Sequence, residues 1–283
     1  MNYRYVFFGT PHIAALTLQG LKDKGLLPSL IVTAPARPQG RGMHMIETPV
    51  ATFAAIHNIP VISPEKITSE VIEDLKNRGP WDFFFVVAYG KILPTSLLEI
   101  VDNKVLNLHP SLLPLYRGPS PLESVLLSDD KETGVSIMEL DALVDHGPVV
   151  VQSSFTLEPS TTVDALTEES ARIGSELFVN NIEAYLNKTI TPTEQDHDTH
   201  THTRKYIKAD GLITDDMSHW TKWKTFRALG NRGWVHFITE KHGESLQIKI
   251  TKASYQDETF VIDEVIPENG KRQSYTDFLH SLN

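Results

Sequence analysis

A run of five apolar residues, Phe83-Phe84-Phe85-Val86-Val87, constrains the fold more than any other stretch of the chain. Aromatic and β-branched residues favour strands, and the run shows no alternation between apolar and polar positions. A strand that is apolar on both sides is covered on both faces, as in parallel sheets flanked by helices. The run therefore predicts a central strand of an α/β domain.

The first two thirds of the chain alternate between strand and helix patterns, which predicts a Rossmann-like, mostly parallel sheet. Strands are predicted over residues 3–8, 30–33, 61–62, 83–87, 105–108, 134–140 and 149–155. Helices are predicted over 13–24, 48–58, 65–78 and 161–186. The first strand ends in Gly9-Thr10-Pro11, which lacks the G-x-G-x-x-G spacing of dinucleotide sites, so no dinucleotide is expected.

Two polar clusters follow predicted strands. Asn107 and His109 lie two residues apart, so on a strand their side chains share one side. Prolines then end the strand, and ligands bind where the strands of open parallel sheets give way to loops. Asp145 follows later in a turn before Gly147. Ordinary structural uses remain open, since Asn107 and Asp145 could cap turns and His109 could be a satisfied core histidine.

The two clusters together resemble the active-site signature of the folate-dependent formyltransferases, N-x-H-P-S-L-L-P with a later D-x-G. This chain carries N-L-H-P-S-L-L-P at 107–114 and V-D-H-G-P-V at 144–149. The stretches F-G-T-P at 8–11, A-R-P-Q-G-R-G at 36–42 and V-V-A-Y-G-K-I-L-P at 86–94 are similar to the methionyl-tRNA formyltransferases of that family.

The resemblance implies formyl transfer from 10-formyltetrahydrofolate to the amino group of initiator methionyl-tRNA, without a metal. Asn107 and His109 would donate to the developing oxyanion, and Asp145 would orient His109 and help the amine lose its proton. The folate would contact residues that the resemblance places in two segments: Tyr89, Gly90, Ile92 and Leu93, and Ser111, Leu112, Leu113 and Pro114.

The long connection 33–49 contains three prolines and is expected to lack regular structure. The resemblance implies that Arg37 and Arg41 in this loop reach the tRNA acceptor stem, although Met43 and His44 stand where lysines are common in the family, and Glu47 adds an acid. An exposed loop with incidental arginines is the alternative.

The net charge of −10 opposes binding to a polyanion such as tRNA, but its distribution is uneven. From Thr203 to Asn283, 12 Lys and Arg stand against 11 Asp and Glu. No acidic residue lies between Asp216 and Glu240, where cations alternate with aromatic residues. We therefore expect a second tRNA contact through Lys222, Lys224, Arg227 and Arg232.

Two domains joined by a linker are expected: a catalytic domain over 1–187, a linker over 188–203, and a C-terminal domain over 204–283. The polar linker contains His197, His200 and His202, which could ligate a metal, although a solvated linker is favoured. Short alternating strands at 233–239, 245–251 and 259–265 predict a small antiparallel barrel. The resemblance implies an OB-like barrel that contacts tRNA.

Several alternatives remain. The acceptor could be an amino sugar nucleotide, glycinamide ribonucleotide or another small amine, or the protein could hydrolyse formyltetrahydrofolate. A non-catalytic RNA-binding module is the remote alternative, and intact Asn107, His109 and Asp145 argue against it. No apolar stretch is long enough for a membrane span, and the chain has no Cys for disulfides. We expect a cytoplasmic monomer without a membrane or DNA partner.

Overall fold

The computed structural model describes residues 3–39, 43–241 and 243–282. The strands in chain order are β1 (Val6–Gly9), β2 (Leu30–Val32), β3 (Arg37–Gln39), β4 (His44–Ile46), β5 (Val61–Ile62), β6 (Phe84–Val87), β7 (Val105–His109), β8 (Glu132–Glu139), β9 (Val149–Thr156), β10 (His236–Lys241), β11 (Glu244–Gln256), β12 (Thr259–Pro267) and β13 (Gln273–Ser274). The helices are α1 (His12–Asp23), α2 (Pro49–Ile56), α3 (Ser69–Arg78), α4 (Thr95–Leu98), α5 (Pro121–Leu127), α6 (Val163–Leu186), α7 (His219–Leu229) and α8 (Tyr275–His280).

Contacts divide the chain into two compact units, each built from three segments. The first unit contains residues 1–119, 133–155 and 167–202, and the second contains 120–132, 156–166 and 203–283. The predicted division differs, because contacts assign residues 188–202 to the first unit, although most of their side chains are exposed as in a solvated segment. Thr193 pairs with Val149, and the Gln195 side chain is buried. A polar sequence here satisfies buried hydrogen-bonding groups, which composition alone cannot distinguish from solvation.

The first unit contains a seven-stranded sheet in the order β5-β2-β1-β6-β7-β8-β9. Strands β5, β2, β1, β6 and β7 run parallel, while β8 pairs with β7 in the antiparallel direction. The predicted mostly parallel α/β fold is confirmed. Because the chain builds outward from β1 to β2 and β5, and from β6 to β7, the order switches between β1 and β6.

The apolar run at residues 83–87 lies at the centre of this sheet, as its sequence predicts. All four residues of β6 are buried, and its neighbours are β1 and β7. Phe85 stacks on Phe178 of α6 with ring centroids 3.8 Å apart, whereas Phe84 belongs to the core on the opposite face with Phe8. Alternate residues of one strand thus fill two separate cores.

The connection between β2 and α2 is more regular than expected. Strands β3 and β4 form an antiparallel hairpin in which Pro38 is paired with Met45. Proline lacks the amide hydrogen that a central strand requires, but a two-stranded ribbon consists of edge strands that tolerate it. The expectation of no regular structure over 33–49 is therefore wrong for these two segments.

The second unit contains a four-stranded antiparallel sheet in the order β10-β11-β12-β13. Its core is formed by Ile248, Val265 and Phe278. Within the described residues β10 and β13 are the two edges, so the sheet is open and the predicted closed barrel is not formed. Helix α7 was not predicted from the sequence. No helix in the part of the chain that the structure describes is long and apolar enough to cross a membrane.

Candidate active site at the carboxyl edge of the sheet

Strand β7 carries the first two candidate catalytic residues into the site. It lies between β6 and β8, with Asn107 opposite both Val86 and Met138. All five residues of β7 are buried. Since side chains alternate along a strand, Asn107 and His109 point to the same side, and His109 is the last residue before the loop. The sequence prediction for this pair is met by the backbone geometry.

Asn107 is 7% exposed, and its side-chain amide makes no hydrogen bond with any residue that the structure describes. An asparagine amide has two donors and an accepting oxygen, and those of Asn107 are not among the fully buried polar atoms without a partner, so solvent or a ligand can reach them. The turn-capping role considered from the sequence does not apply here. Its donors are thus available to a bound group.

The His109 ring is held by one hydrogen bond and faces Asp145 with its other nitrogen. Its Nε2 donates to the backbone carbonyl oxygen of Tyr116 at 2.9 Å, because a carbonyl oxygen can only accept. Its Nδ1 lies 3.6 Å from Oδ2 of Asp145. The structure therefore brings the two halves of the signature into one site. The separation exceeds an ordinary hydrogen bond, so Nδ1 is the ring nitrogen without a close partner.

Asp145 holds a distant backbone group. Its Oδ2 accepts from the amide of Gly118 at 2.7 Å, and its own backbone is left-handed with φ of 48°. The local capping role expected of an Asp before a Gly belongs instead to Asp141, whose Oδ1 accepts from Leu143 N and whose Oδ2 contacts His146 Nδ1. Asp145 is thereby left to face His109.

An exposed apolar lip follows β6 at the switch point of the sheet. Ile92 is 91% exposed, and Gly90, with φ of 78°, has open space where a side chain would stand. Leu93 is half-buried against the core, whereas Tyr89 is buried beside Phe8. Burial raises the pKa of Tyr89 to about 12, so its phenol is neutral at physiological pH. Such a lip fits a flat, largely apolar ring.

Lys91 lies in the same lip and was not singled out from the sequence. Its Nζ donates to the carbonyl oxygen of Pro64 and lies over the Tyr89 ring. Burial lowers the pKa of Lys91, Glu65 opposes that shift, and the positive charge of Arg37 lowers it further. Arg37 on the hairpin and Lys91 on the lip are therefore electrostatically coupled.

The other predicted folate segment is held tightly by the protein itself. Ser111 Oγ donates to Leu115 O, and Leu113 N donates to Ser136 Oγ. Gln152 Nε2 donates to both Leu113 O and Ser136 Oγ. Ser111 and Leu113 are buried, whereas Leu112 and Pro114 are half-buried. The side chains of Ser111 and Leu113 therefore shape the site from beneath instead of presenting groups to a ligand.

The hairpin of β3 and β4 carries Arg37, which is exposed. Met43, Met45 and Ile46 are exposed large apolar side chains on the same hairpin. Arg41, the other arginine predicted to contact tRNA, lies outside the described residues. An exposed cation flanked by apolar side chains is suited to contact a nucleic acid's phosphate and base faces.

Helix α7 and the turn after it use most of their predicted tRNA-binding cations internally. Arg227 is only 3% exposed, and its guanidinium donates to the carbonyl oxygens of Leu126, Glu158 and Pro159. Its burial removes it from any phosphate interface, because the helical period turns it inward. The prediction for Arg227 therefore needs correction.

The remaining three cations of this segment differ in whether a carboxylate pairs with them. Lys224 pairs with Asp129 at 2.8 Å with 13% of its side chain exposed, and Arg232 pairs with Glu123. Lys222 is half-buried, and no ion pair is found for it among the described residues. Lys222 is the cation of this helix that remains available to phosphate.

Sequence reasoning missed the groups that hold the site together. Gln195 donates to the carbonyl oxygens of Asp145 and Gly147, and Arg117 donates to Gln195. Gln195 lies in the segment predicted to be a linker, and no local pattern signals its burial. In the described part of the chain, no group of three or more His, Asp or Glu could hold a metal.

Known proteins resemble this chain both in sequence and in fold. The family described as "Formyl transferase" matches residues 3–182. The methionyl-tRNA formyltransferase of Roseiflexus castenholzii is 40% identical over 215 residues, covering 75% of this chain and 68% of that protein. The one from Chloroflexus aurantiacus is 36% identical over 268 residues, covering 94% and 86%.

Two solved structures share the fold at low sequence identity. A methionyl-tRNA formyltransferase from Clostridium thermocellum has a TM-score of 0.63 at 17% identity, covering 94% of this chain and 99% of that one. A sugar 3N-formyl transferase, crystallised in the presence of dTDP and 5-N-formyl-THF, has a TM-score of 0.65 at 18% identity, covering 90% and 87%. Structural likeness at these identities shows the fold and leaves the acceptor open.

Proposed function

Because this chain belongs to the formyl transferase family, we propose that it transfers the formyl group of 10-formyltetrahydrofolate to the amino group of methionyl-tRNA. The relatives named methionyl-tRNA formyltransferase support this acceptor, since one of them is 36% identical over 94% of the chain. Charged initiator tRNA is a cytoplasmic molecule, so the proposal includes a cytoplasmic location. A monomer suffices, since every proposed catalytic residue comes from this chain.

The observation that carries the proposal is the meeting of Asn107, His109 and Asp145 at one edge of the sheet. The two halves of the signature are separated by 36 positions between His109 and Asp145, yet His109 Nδ1 and Asp145 Oδ2 are 3.6 Å apart. Asn107 lies two residues before His109 on the same side of β7. Acyl transfer to an amine needs donors for the carbonyl oxygen and an acceptor for the amine's proton.

Each of the three residues has a distinct role in this proposal. The folate, when bound, supplies an activated formyl carbon. The free amide donors of Asn107 stabilise the negative charge that develops on the carbonyl oxygen. His109, held by Tyr116 through Nε2, faces Asp145 with Nδ1 and can donate from Nδ1 to the substrate only when both ring nitrogens carry hydrogen. Asp145 orients that ring and takes up the proton that the amine releases.

The lip after β6 and the turn after β7 are the proposed folate contacts. Gly90, Ile92 and Leu93 offer an exposed apolar surface, and buried Tyr89 supports it from beneath. Leu112 and Pro114 are the half-buried members of the other segment, so they are the members that can touch a ligand. Ser111 and Leu113 keep that segment in place through their bonds to Leu115 and Ser136.

The proposed tRNA contacts are the hairpin and one lysine of α7. Arg37 is exposed and lies on the hairpin that follows β2. Arg41 remains part of the proposal on its sequence position alone. In the second unit Lys222 is retained, while Lys224 and Arg232 are engaged with carboxylates. The tRNA contact expected of an OB-like barrel is therefore proposed through Lys222 of α7.

An acceptor panel tests this proposal directly. Purified protein is supplied with 10-formyltetrahydrofolate and, separately, methionyl initiator tRNA, uncharged tRNA, a nucleotide-linked amino sugar and glycinamide ribonucleotide. We expect formylmethionyl-tRNA, identified by mass spectrometry of the released amino acid, and no formylated sugar. Formylation of a small amine with no reaction on charged tRNA would overturn the acceptor assignment. Release of formate without any acceptor would favour a hydrolase.

A further inference from the structure

The segment from Thr193 to His202 contacts the loops that carry Asp145 and Arg117. Thr193 exchanges two backbone hydrogen bonds with Val149, each 2.8 Å long. At the other end, Arg117 N donates to Thr201 O at 2.9 Å, and Arg117 forms a parallel bridge with His202. This segment, called the strap below, lies outside residues 3–182 that match the family. The strap therefore belongs to the site by contact, although it lies far along the chain.

Gln195 is the residue through which the strap reaches the Asp145 loop. Its Nε2 donates to Asp145 O at 3.0 Å and to Gly147 O at 2.7 Å. Its Oε1 accepts from Arg117 Nε at 3.0 Å and from Arg117 Nη2 at 2.6 Å. Carbonyl oxygens only accept and a guanidinium only donates, so these four contacts fix the orientation of the amide. Every hydrogen-bonding group of the Gln195 side chain faces a partner that requires that orientation.

Arg117 is a buried guanidinium used to hold this glutamine. It is 3% exposed, and no carboxylate pairs with it among the described residues. Its Nη2 also donates to His197 Nδ1 at 2.9 Å, which ties it a second time to the strap. A buried charge without an ionic partner is costly, so its retention calls for a specific role. The contacts of Arg117 with Gln195 and His197 on the strap supply such a role.

The residues on either side of Arg117 contact the catalytic side chains. Tyr116 O accepts from His109 Nε2, and Gly118 N donates to Asp145 Oδ2. The tripeptide Tyr116-Arg117-Gly118 thus contacts His109, Gln195 and Asp145 by three different groups. A shift of Arg117 would therefore move both members of the His109–Asp145 pair.

The Asp145 loop needs such support because its backbone is unfavourable. Asp145 has φ of 48°, a left-handed conformation that costs free energy for a residue other than glycine. Two residues later, a Cβ on Gly147 would collide with the Glu139 carbonyl oxygen, so the loop passes close to the end of β8. Removal of the Gln195 donors would allow Asp145 to relax to an extended or right-handed conformation, which redirects its carboxylate.

We infer that Gln195, oriented by Arg117, is a positioning residue that fixes the backbone of the Asp145 loop and thereby the distance from the Asp145 carboxylate to His109. This inference rests on the proposed function for its catalytic consequence. Its structural consequence, the placement of the Asp145 carboxylate against Gly118, is independent of what the protein formylates.

The test compares Gln195→Met with wild type and with Tyr5→Phe. Met keeps the volume of Gln195 and removes its donors and acceptor. Tyr5→Phe is the control, because it also removes one buried side-chain-to-backbone bond, from Tyr5 OH to Leu26 O, at the opposite end of β1. Misplacement of a catalytic group by about 1 Å costs about a hundredfold in rate, so we expect Gln195→Met to lower kcat by roughly ten- to a hundredfold. KM for the formyl donor should change little, and Tyr5→Phe should leave kcat unchanged.

Two further readouts separate positioning from a general loss of structure. First, exchange of the Gly118 amide hydrogen reports the Asp145 carboxylate directly, and we expect about tenfold faster exchange in Gln195→Met because the bond that protects it is weakened. Second, Gln195→Met should add little to Asp145→Asn, since a residue that acts through Asp145 has little effect once Asp145 is lost. A fully additive loss in the double variant would show that Gln195 acts on something else.

The outcomes separate this inference from the proposed function. Wild type that formylates no acceptor overturns the proposed function, while faster Gly118 exchange in Gln195→Met would still support the positioning role. An active wild type, with unchanged kcat and unchanged Gly118 exchange in folded Gln195→Met, overturns this inference alone. If Gln195→Met does not fold, Gln195→Glu carries the same test, because it keeps the acceptor for Arg117 and replaces the two donors by an acceptor.

Discussion

The end of β7 and helix α7 both carry clusters of chemically capable side chains, but the protein uses them in opposite ways. At the end of β7, the Asn107 amide makes no hydrogen bond among the described residues, and His109 Nδ1 faces Asp145 at 3.6 Å. On α7, Arg227 is buried on backbone carbonyls, and Lys224 is paired with Asp129. The polar groups at the end of β7 are open to a ligand, whereas these two cations of α7 are committed to contacts within the protein.

The difference follows from local geometry that the sequence reveals unequally. A strand directs residues two apart to one side, and the end of a parallel strand lies at the binding edge, so the positions of Asn107 and His109 follow from their spacing. A helix turns by 100° per residue, so an acid-free segment still directs some of its cations into the core. The segment 217–239 contains no acidic residue, but Asp129 and Glu123 from a distant part of the sequence pair with its cations Lys224 and Arg232.

The largest expected effect is at the end of β7. We expect Asn107→Ala to lower turnover by about a hundredfold or more, because loss of one oxyanion donor typically costs that much. Its thermal stability should not fall, since the amide has no partner to lose among the described residues. Steady-state rates and a melting curve on the same preparation measure both. If Asn107→Ala is destabilised but keeps near-normal turnover, the role of Asn107 is structural, like that of Arg227 on α7.

Next in size is the effect of Arg227→Met on stability. This change leaves buried carbonyl oxygens without donors and should lower the free energy of unfolding by about 2–4 kcal/mol. The corresponding fall in melting temperature is measurable by calorimetry. Lys222→Met is the matched control on the same helix and should be within about 0.5 kcal/mol of wild type. Equal stability of the two variants would contradict the structural role of Arg227.

A smaller contrast is expected between Arg37 and Lys224 in tRNA formylation. Arg37→Ala should lower kcat/KM on charged tRNA by about tenfold, since an exposed cation at the hairpin would position the reacting end. Lys224→Ala should change it by less than about twofold, because its charge is already engaged with Asp129. Both rates are measured at two salt concentrations. A larger loss of kcat/KM in Lys224→Ala than in Arg37→Ala would indicate that Lys224 contacts the tRNA despite its pairing with Asp129.

The smallest expected effect is the acid sensitivity of the Asp129 contacts. Hydrogen bonds from Lys224 and Trp220 lower the pKa of Asp129 below its ordinary value. A depressed folded-state pKa means that the stabilisation is present above the unfolded pKa and is lost as the pH falls through the folded one. Melting temperatures of wild type and Asp129→Asn should therefore differ more at pH 7 than at pH 3. A constant difference across that range would contradict this assignment.

Much of the catalytic unit could be predicted from the sequence because its signals are local. Apolar runs predicted β6 and its neighbours, and the signature at 107–114 and 144–149 predicted which loops meet. The Gln195–Arg117 contacts could not be predicted, since they join residues 78 apart by side chains without a periodic pattern. The antiparallel strands of the second unit were predicted but the barrel was not confirmed, because alternation predicts strands and does not decide whether the edges of a sheet meet.

The central claim is that Asp145 and His109 act as one catalytic unit at the end of β7. Single-turnover formylation of methionyl-tRNA by Asp145→Asn, beside His109→Ala and the double variant, tests it most directly. Asparagine retains an oxygen for the Gly118 amide, so folding should be preserved. The account predicts that each single variant loses at least about a hundredfold in rate and that the double variant is little slower than the worse single one. Near-normal turnover by Asp145→Asn, or losses that multiply in the double variant, would contradict it.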